Sequence, residues 1–132
     1  MQKLLDFFKN DRFAAMAGAE LTEVGAGYAK ARLLVGKQHL NGAGICQGGA
    51  VFTLADLAFA AAVNSHGNVT VSIMANITFI HAAGEGWLYA EAHEKADHPR
   101  LPYVEVTVTD DSGNVIAIMT SSGYRKKESI PG

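Results

Sequence analysis

Hydrophobic and polar positions along this chain change period from segment to segment, and each change marks an element. Leu4, Leu5, Phe7 and Phe8 recur at helical spacing. That predicts a short amphipathic helix near the start, with Phe13 and Met16 extending its apolar contacts and Gly18 as its stop. The period then shortens to two. Residues 21–24 and 28–35 flank Gly25-Ala26-Gly27 and predict a hairpin. In the second of these strands Ala29, Ala31, Leu33 and Val35 alternate with Tyr28, Lys30, Arg32 and Leu34, the pattern of a half-buried antiparallel strand.

A glycine-rich loop, residues 39–49, leads into the longest helical pattern, residues 48–66. From Ala50 to Val63 that segment has almost no polar face, so a helix here must be buried nearly all round. It would run about 28 Å. After Gly67 the period returns to two. Val71, Ile73, Ala75, Ile77 and Phe79 alternate with Thr70, Ser72, Met74, Asn76 and Thr78, which places Ser72 on the more polar face. Further strands are expected at 87–94, 103–109 and 115–124, the last two joined by the turn Asp110-Asp111-Ser112-Gly113-Asn114. The polar tail, 126–132, is expected to be loose. One helix wrapped by a mostly antiparallel sheet is an α+β solution, and a free sheet edge would favour association.

The chain has 132 residues, the size of a single domain spanning 1–132. Its formal net charge is −2, which offers no basic field for nucleic acid. Cys46 is the single cysteine, so no internal disulfide can form. The first ten residues lack the apolar core of a secretory signal, and no uninterrupted apolar run of about 18 residues is evident, so neither a leader nor a membrane span is expected. A cytoplasmic location follows by default. None of the five histidines forms a close ligand pair, and no metal or other cofactor is expected.

Two features stand out chemically. Asp56 lies in the middle of the apolar helix, where an unpaired carboxylate is costly and its pKa tends to rise. A solvent-facing Asp without a role is the ordinary alternative, but this helix offers little polar face for one. Gly48 and Gly49 open the same helix. Glycines there admit a ligand close to backbone N–H groups that carry the positive end of the helix dipole, a site suited to an oxyanion. The two features are eight residues apart, about 12 Å along one helix. Reacting groups must approach to about 3–3.5 Å. If both serve one reaction, a second copy of the chain must supply one of them, as in a two-fold dimer. Asn41 is a further side-chain donor beside the loop, Gln47 could orient loop or ligand, and Ser72 could orient a water. Cys46 is read as a buried, inert thiol.

His39-Leu40-Asn41-Gly42, Gly44-Ile45-Cys46-Gln47-Gly48-Gly49 and Leu54-Ala55-Asp56 together resemble the hotdog-fold thioesterases, in the phenylacetate-pathway (PaaI-like) branch of the 4-hydroxybenzoyl-CoA thioesterase superfamily. Asn64-Ser65-His66-Gly67, Asn76-Ile77-Thr78-Phe79 and the final hairpin continue the likeness. The resemblance implies an antiparallel sheet wrapped around one long helix, homodimers usually paired into tetramers, and hydrolysis of an acyl-CoA. It implies that Asp56 is nucleophile or general base, that the Gly48 amide and Asn41 are donors to the carbonyl oxygen, and that Ser72 assists. Asp56 and Ser72 would then come from one subunit, Asn41 and Gly48 from the other. Gln47 stands where the family often has His, and a Gln cannot titrate near neutral pH.

On this reading Gln47, Gly49, Leu57 and Ala60 contact substrate. Lys95, Arg100, Arg125 and Lys126 are candidates by charge for the coenzyme phosphates. A non-catalytic acyl-CoA binding protein and a hotdog hydratase or dehydratase are the alternatives.

Overall fold

The computed structural model describes residues 2–96 and 98–131. In chain order it contains α1 (Gln2–Phe8), α2 (Arg12–Ala17), β1 (Ala19–Gly25), β2 (Tyr28–Val35), α3 (Gly48–Val63), β3 (Asn68–Phe79), β4 (Gly86–Ala96), β5 (Tyr103–Asp110) and β6 (Val115–Ser129), with single 3₁₀ turns at Lys37–His39 and Asn64–His66. The strands form one antiparallel sheet in the order β1-β2-β4-β5-β6-β3. The sheet curls around α3 in the hotdog arrangement that the resemblance implied.

Side-chain size explains the close wrap. Ala29, Ala31, Ala90 and Ala92 of the sheet and Ala55, Ala58, Ala61 and Ala62 of α3 are all buried, so the backbones approach with little side chain between them. Leu33, Leu88, Val104, Val106, Val108 and Met119 fill the remaining space. The wrap is incomplete. Gly49 is exposed, and Ala50, Phe52, Thr53, Asp56 and Ala60 are half-buried, so one stripe of α3 is left open.

Asn64 ties the end of α3 to the start of β3. Its buried carboxamide donates to Ala60 O (2.7 Å) and Thr70 O (3.1 Å) and accepts from Thr70 N (2.8 Å). Gly123 on β6 lets the edge strand pack here, because a Cβ would lie 2.8 Å from Thr70 Cγ2.

Three expectations are corrected. The first helix is two helices, because Asp11 caps a new one by accepting from Ala14 N (3.0 Å); Phe13 and Met16 are then 65% and 80% exposed and add little to the apolar contacts. The tail is not loose as far as residue 130. β6 continues to Ser129 because β3 extends back to Asn68 and offers it a partner; Ile130 N then donates to Gly67 O (2.9 Å), and its side chain is buried. The alternation in β3 is broken by a register shift between Ser72 and Met74. Ser72 pairs with buried Gly123, so it shares the helix-facing side with Ala75, Ile77 and Phe79, while Met74, Asn76 and Thr78 face away. The segment Gly48–His66 is long and apolar enough to cross a membrane by length and composition alone, but over half of it is buried inside the fold, so its apolarity is that of a core.

Replacing Asn64 by Ala removes three hydrogen bonds and strands buried backbone groups. A loss of about 2–4 kcal/mol is expected in urea unfolding. Asn64→Asp should be destabilised comparably, because a carboxylate has no N–H to offer Ala60 and Thr70. Unchanged midpoints for both would remove this link from the account.

Candidate active site

The loop before α3 is built by the backbone. Asn41 N donates to Ile45 O (2.8 Å), Gly44 N donates to Asn41 O (3.0 Å) with Gly44 at φ +79°, and Leu40 bridges Cys46. Cys46 N donates to Ala83 O (2.8 Å), and Gln47 N to His39 O (2.8 Å). The loop is therefore pinned on both sides just before Gly48. His39 anchors its root: its Nδ1 accepts from Gly36 N (2.9 Å), which leaves Nε2–H to donate to Ala17 O (2.6 Å). The ring joins the end of α2 to the end of β2.

This loop aims two donors. Asn41 Oδ1 accepts from Ala43 N (2.9 Å) and Ile45 N (3.3 Å), so its oxygen is occupied and its Nδ2–H₂ group is turned outward. Gln47 at the N-cap makes no side-chain cap bond, and the N–H groups of Gly48 and Gly49 find no acceptor among the described residues. Asn41 and Gly48 line one cavity of about 300 Å³. Gly48 packs tightly under Phe79, since a Cβ there would lie 3.1 Å from Phe79 Cζ and the ring would have to give by a few tenths of an ångström. Gly49 is covered by Gln47, whose Oε1 would lie 2.5 Å from an added Cβ.

The acid is elsewhere. Asp56 sits on the open stripe of α3, half-buried, and does not line the Asn41–Gly48 cavity. Burial raises its pKa above the ordinary carboxylate value, and the nearby Asp11 charge raises it further; neither a hydrogen bond nor a cation offsets this. Asp11 and Leu57 line a second cavity of about 380 Å³, between the N-terminal helices, β1 and α3. Ser72 Oγ lies 3.4 Å from Ser121 Oγ, whose own proton goes to Met74 O (2.8 Å). With that proton committed to Met74, Ser72 is the donor across the long contact, and its oxygen keeps acceptor capacity for a ligand.

Of the residues singled out from the sequence, the fold thus brings together Asn41, Gly48 and the flanking Gln47 and Gly49, but neither Asp56 nor Ser72 joins them within one chain. Ala60 lies half-buried on the open stripe with Asp56. Arg125 is turned inward: its guanidinium is 13% exposed and lies 3.9 Å from Glu94, which also meets His66 Nε2 at 3.1 Å. Lys95, Arg100 and Lys126 remain exposed. Burial pushes the Cys46 thiol up, away from the thiolate. Sequence reasoning missed Phe79, Asp11 and His39. Only Asp11 carried a local signal, as a helix N-cap; the other two act through residues distant along the chain.

The family model described as "Thioesterase superfamily" matches residues 43–117. A protein of Archaeoglobus fulgidus that carries an esterase name is 38% identical over 133 residues, covering 99% of this chain and 86% of that protein. The acyl-coenzyme A thioesterase PaaI of Escherichia coli strain K12 is 29% identical over 126 residues, covering 95% of this chain and 90% of its own. The solved structure of the E. coli PaaI protein from the phenylacetic acid degradation operon superposes with a TM-score of 0.94 at 27% identity, covering 98% of this chain and 95% of that one.

The raised pKa of Asp56 gives a sign to its stability effect. Its ionised form is penalised by folding, so the penalty is present above the folded-state pKa and vanishes as pH falls below the unfolded value. Asp56→Asn should therefore melt higher than the parent at neutral pH, and the gain should shrink on acidification. A variant that melts lower at neutral pH would show that the carboxylate is instead stabilised in place.

Proposed function

This chain belongs to the thioesterase superfamily, as a PaaI-like hotdog protein, and on that premise we propose that it hydrolyses an acyl-coenzyme A to the free acid and coenzyme A at a site shared by two copies of the chain. The observation that carries this reading is the division of the machinery. The donors Asn41 and Gly48 share one cavity that no acid lines among the described residues, while Asp56, with no hydrogen-bond or ion-pair partner among the described residues, lies on the open face of α3.

The edge strand β3 supports the pairing. Val71, Ile73, Met74 and Phe79 on it are exposed large apolar residues, and its outer backbone edge has no neighbour in the sheet. A second β3 placed antiparallel across a two-fold axis would set the Ser72 end of one strand beside the Phe79 end of the other. Phe79 touches Gly48, so Ser72 of one copy and the donor loop of the other would meet there. Two such dimers pairing again would make the tetramer.

In this mechanism the Gly48 N–H and the Asn41 carboxamide hold the thioester oxygen, and stabilise it more as it gains negative charge. Asp56 of the second copy attacks the carbonyl carbon directly or draws a proton from the attacking water; Ser72 orients that water. The C–S bond breaks. In the general-base route the leaving thiolate takes back the proton held by Asp56. In the direct route it is protonated by solvent, while a water then hydrolyses the mixed anhydride left on Asp56, which releases the free acid and restores the carboxylate. Burial raises the Asp56 pKa, which makes its carboxylate a stronger base than a free one. Lys126, Lys95 and Arg100 are the exposed cations available to the coenzyme phosphates. Arg125, engaged by Glu94, instead braces the sheet beneath them. Gln47 motivates a second reading, a binder that does not turn over, which would retain acyl-CoA without releasing thiol.

Asp56→Asn should abolish thiol release over a panel of acyl-CoAs while the protein stays folded and associated. Asn41→Ala should lower kcat by about 10²–10³-fold. Co-refolding these two inactive variants in equal amounts tests the shared site. Half the dimers are mixed and each regains one of two sites, so about a quarter of parental activity should return. No recovery, with mixed dimers demonstrably present, would mean that each chain works alone.

A further inference from the structure

A thioester carbonyl held by Asn41 and Gly48 has two remaining substituents, the acyl group and the sulfur of the coenzyme arm. The cavity beside these donors can receive one of them. Its floor is apolar, formed by the buried residues Cys46, Val51, Ala83 and Ile116, and its mouth is open. Its rim is exposed, and Phe79, 52% exposed, stands on it with its ring against the Gly48 backbone. At about 300 Å³ it lies at the small end of the range for ligand pockets.

A pocket with a buried apolar floor suits a substituent that ends inside it. The coenzyme arm continues to a charged nucleotide that must stay in water; the acyl group simply terminates. The apolar floor also lacks partners for the amides of the arm, and an unpaired buried amide is costly. The cavity under Leu57 is a poorer acyl site, because Lys9, Asp11 and Glu20 are among its walls.

We propose that the slot behind Phe79 takes the acyl end of the substrate, and that the Phe79 ring sets how large an acyl group can sit against the Gly48 amide. Pairing with Ala117 fixes the Phe79 backbone at the end of β3, and its ring lies over Gly48 as one wall of the slot. Small, compact acyl groups fill the slot; bulkier ones strike the ring before the carbonyl reaches its donors. This assignment rests on the thioesterase reading and names its substrate class.

The test is a kcat/KM series over acyl-CoAs graded in acyl bulk, with inhibition by free coenzyme A measured alongside. Phe79→Ala should raise the ratio of bulky to small acyl turnover at least about tenfold, with Phe79→Leu between it and the parent, and coenzyme A inhibition should not change. Ala82, exposed on the rim, supplies the opposite change without disturbing the core. Ala82→Phe should narrow the preference toward the smallest acyl groups, and it decides the matter if Phe79→Ala does not fold. Equal factors across the whole series, or a selective loss of coenzyme A inhibition, would place the coenzyme arm in the slot and overturn the proposal. A parent that releases thiol from no acyl-CoA would instead overturn the thioesterase reading, and the slot assignment with it.

Discussion

A helix with almost no polar side cannot be satisfied by one curled sheet. The sheet reaches the buried flank of α3, where Leu54, Ala58, Ala61 and Ala62 lose their solvent contact, but it cannot close over the opposite stripe. The most hydrophobic element of the chain is therefore left with an open, half-apolar face, and that face carries Asp56. A carboxylate there is too far from solvent to ionise as easily as a free one, yet it is not walled in. The same geometry that raises its pKa leaves it accessible.

The donor end of α3 is set by different means. Gly48 and Gly49 offer unbonded amides because Gln47 does not cap them, and the loop before them is fastened to β2, α2 and the segment after β3 through His39 and Cys46. Its rigidity comes from backbone hydrogen bonds, with Asn41 spending its oxygen locally so that its amide points away. Donors held this way need little reorganisation when charge develops on a bound carbonyl, which is where such sites gain their effect. Asp56 and the loop donors thus lie at the middle and the start of one helix, about 12 Å apart. The length of α3 keeps them from meeting within one chain.

Much of this was legible from the residues themselves. The switch from a 3.6-residue to a two-residue period located α3 and the strands around it, and the Asp56 anomaly stood out because every neighbour is apolar. The spacing from Gly48 to Asp56 argued for a second copy without any coordinates. What was not legible involved partners far apart in the chain. Ser72 was assigned to the wrong face because the register shift at Ile73 depends on pairing with β6, not on the local alternation. Arg125 read as a surface cation until Glu94, some thirty residues earlier, was found beside it.

The sequence by itself determined the elements, the burial of α3 and the unusual residues at its start and middle, because periodicity and backbone freedom are properties of neighbouring residues. Only the tertiary structure decided which stripe of α3 stays open, that Phe79 lies over Gly48, that Asp11 adds its charge to the surroundings of Asp56, and that residues 126–129 extend a strand. Each of those depends on strand register and on contacts across long stretches of chain, and no local pattern encodes them.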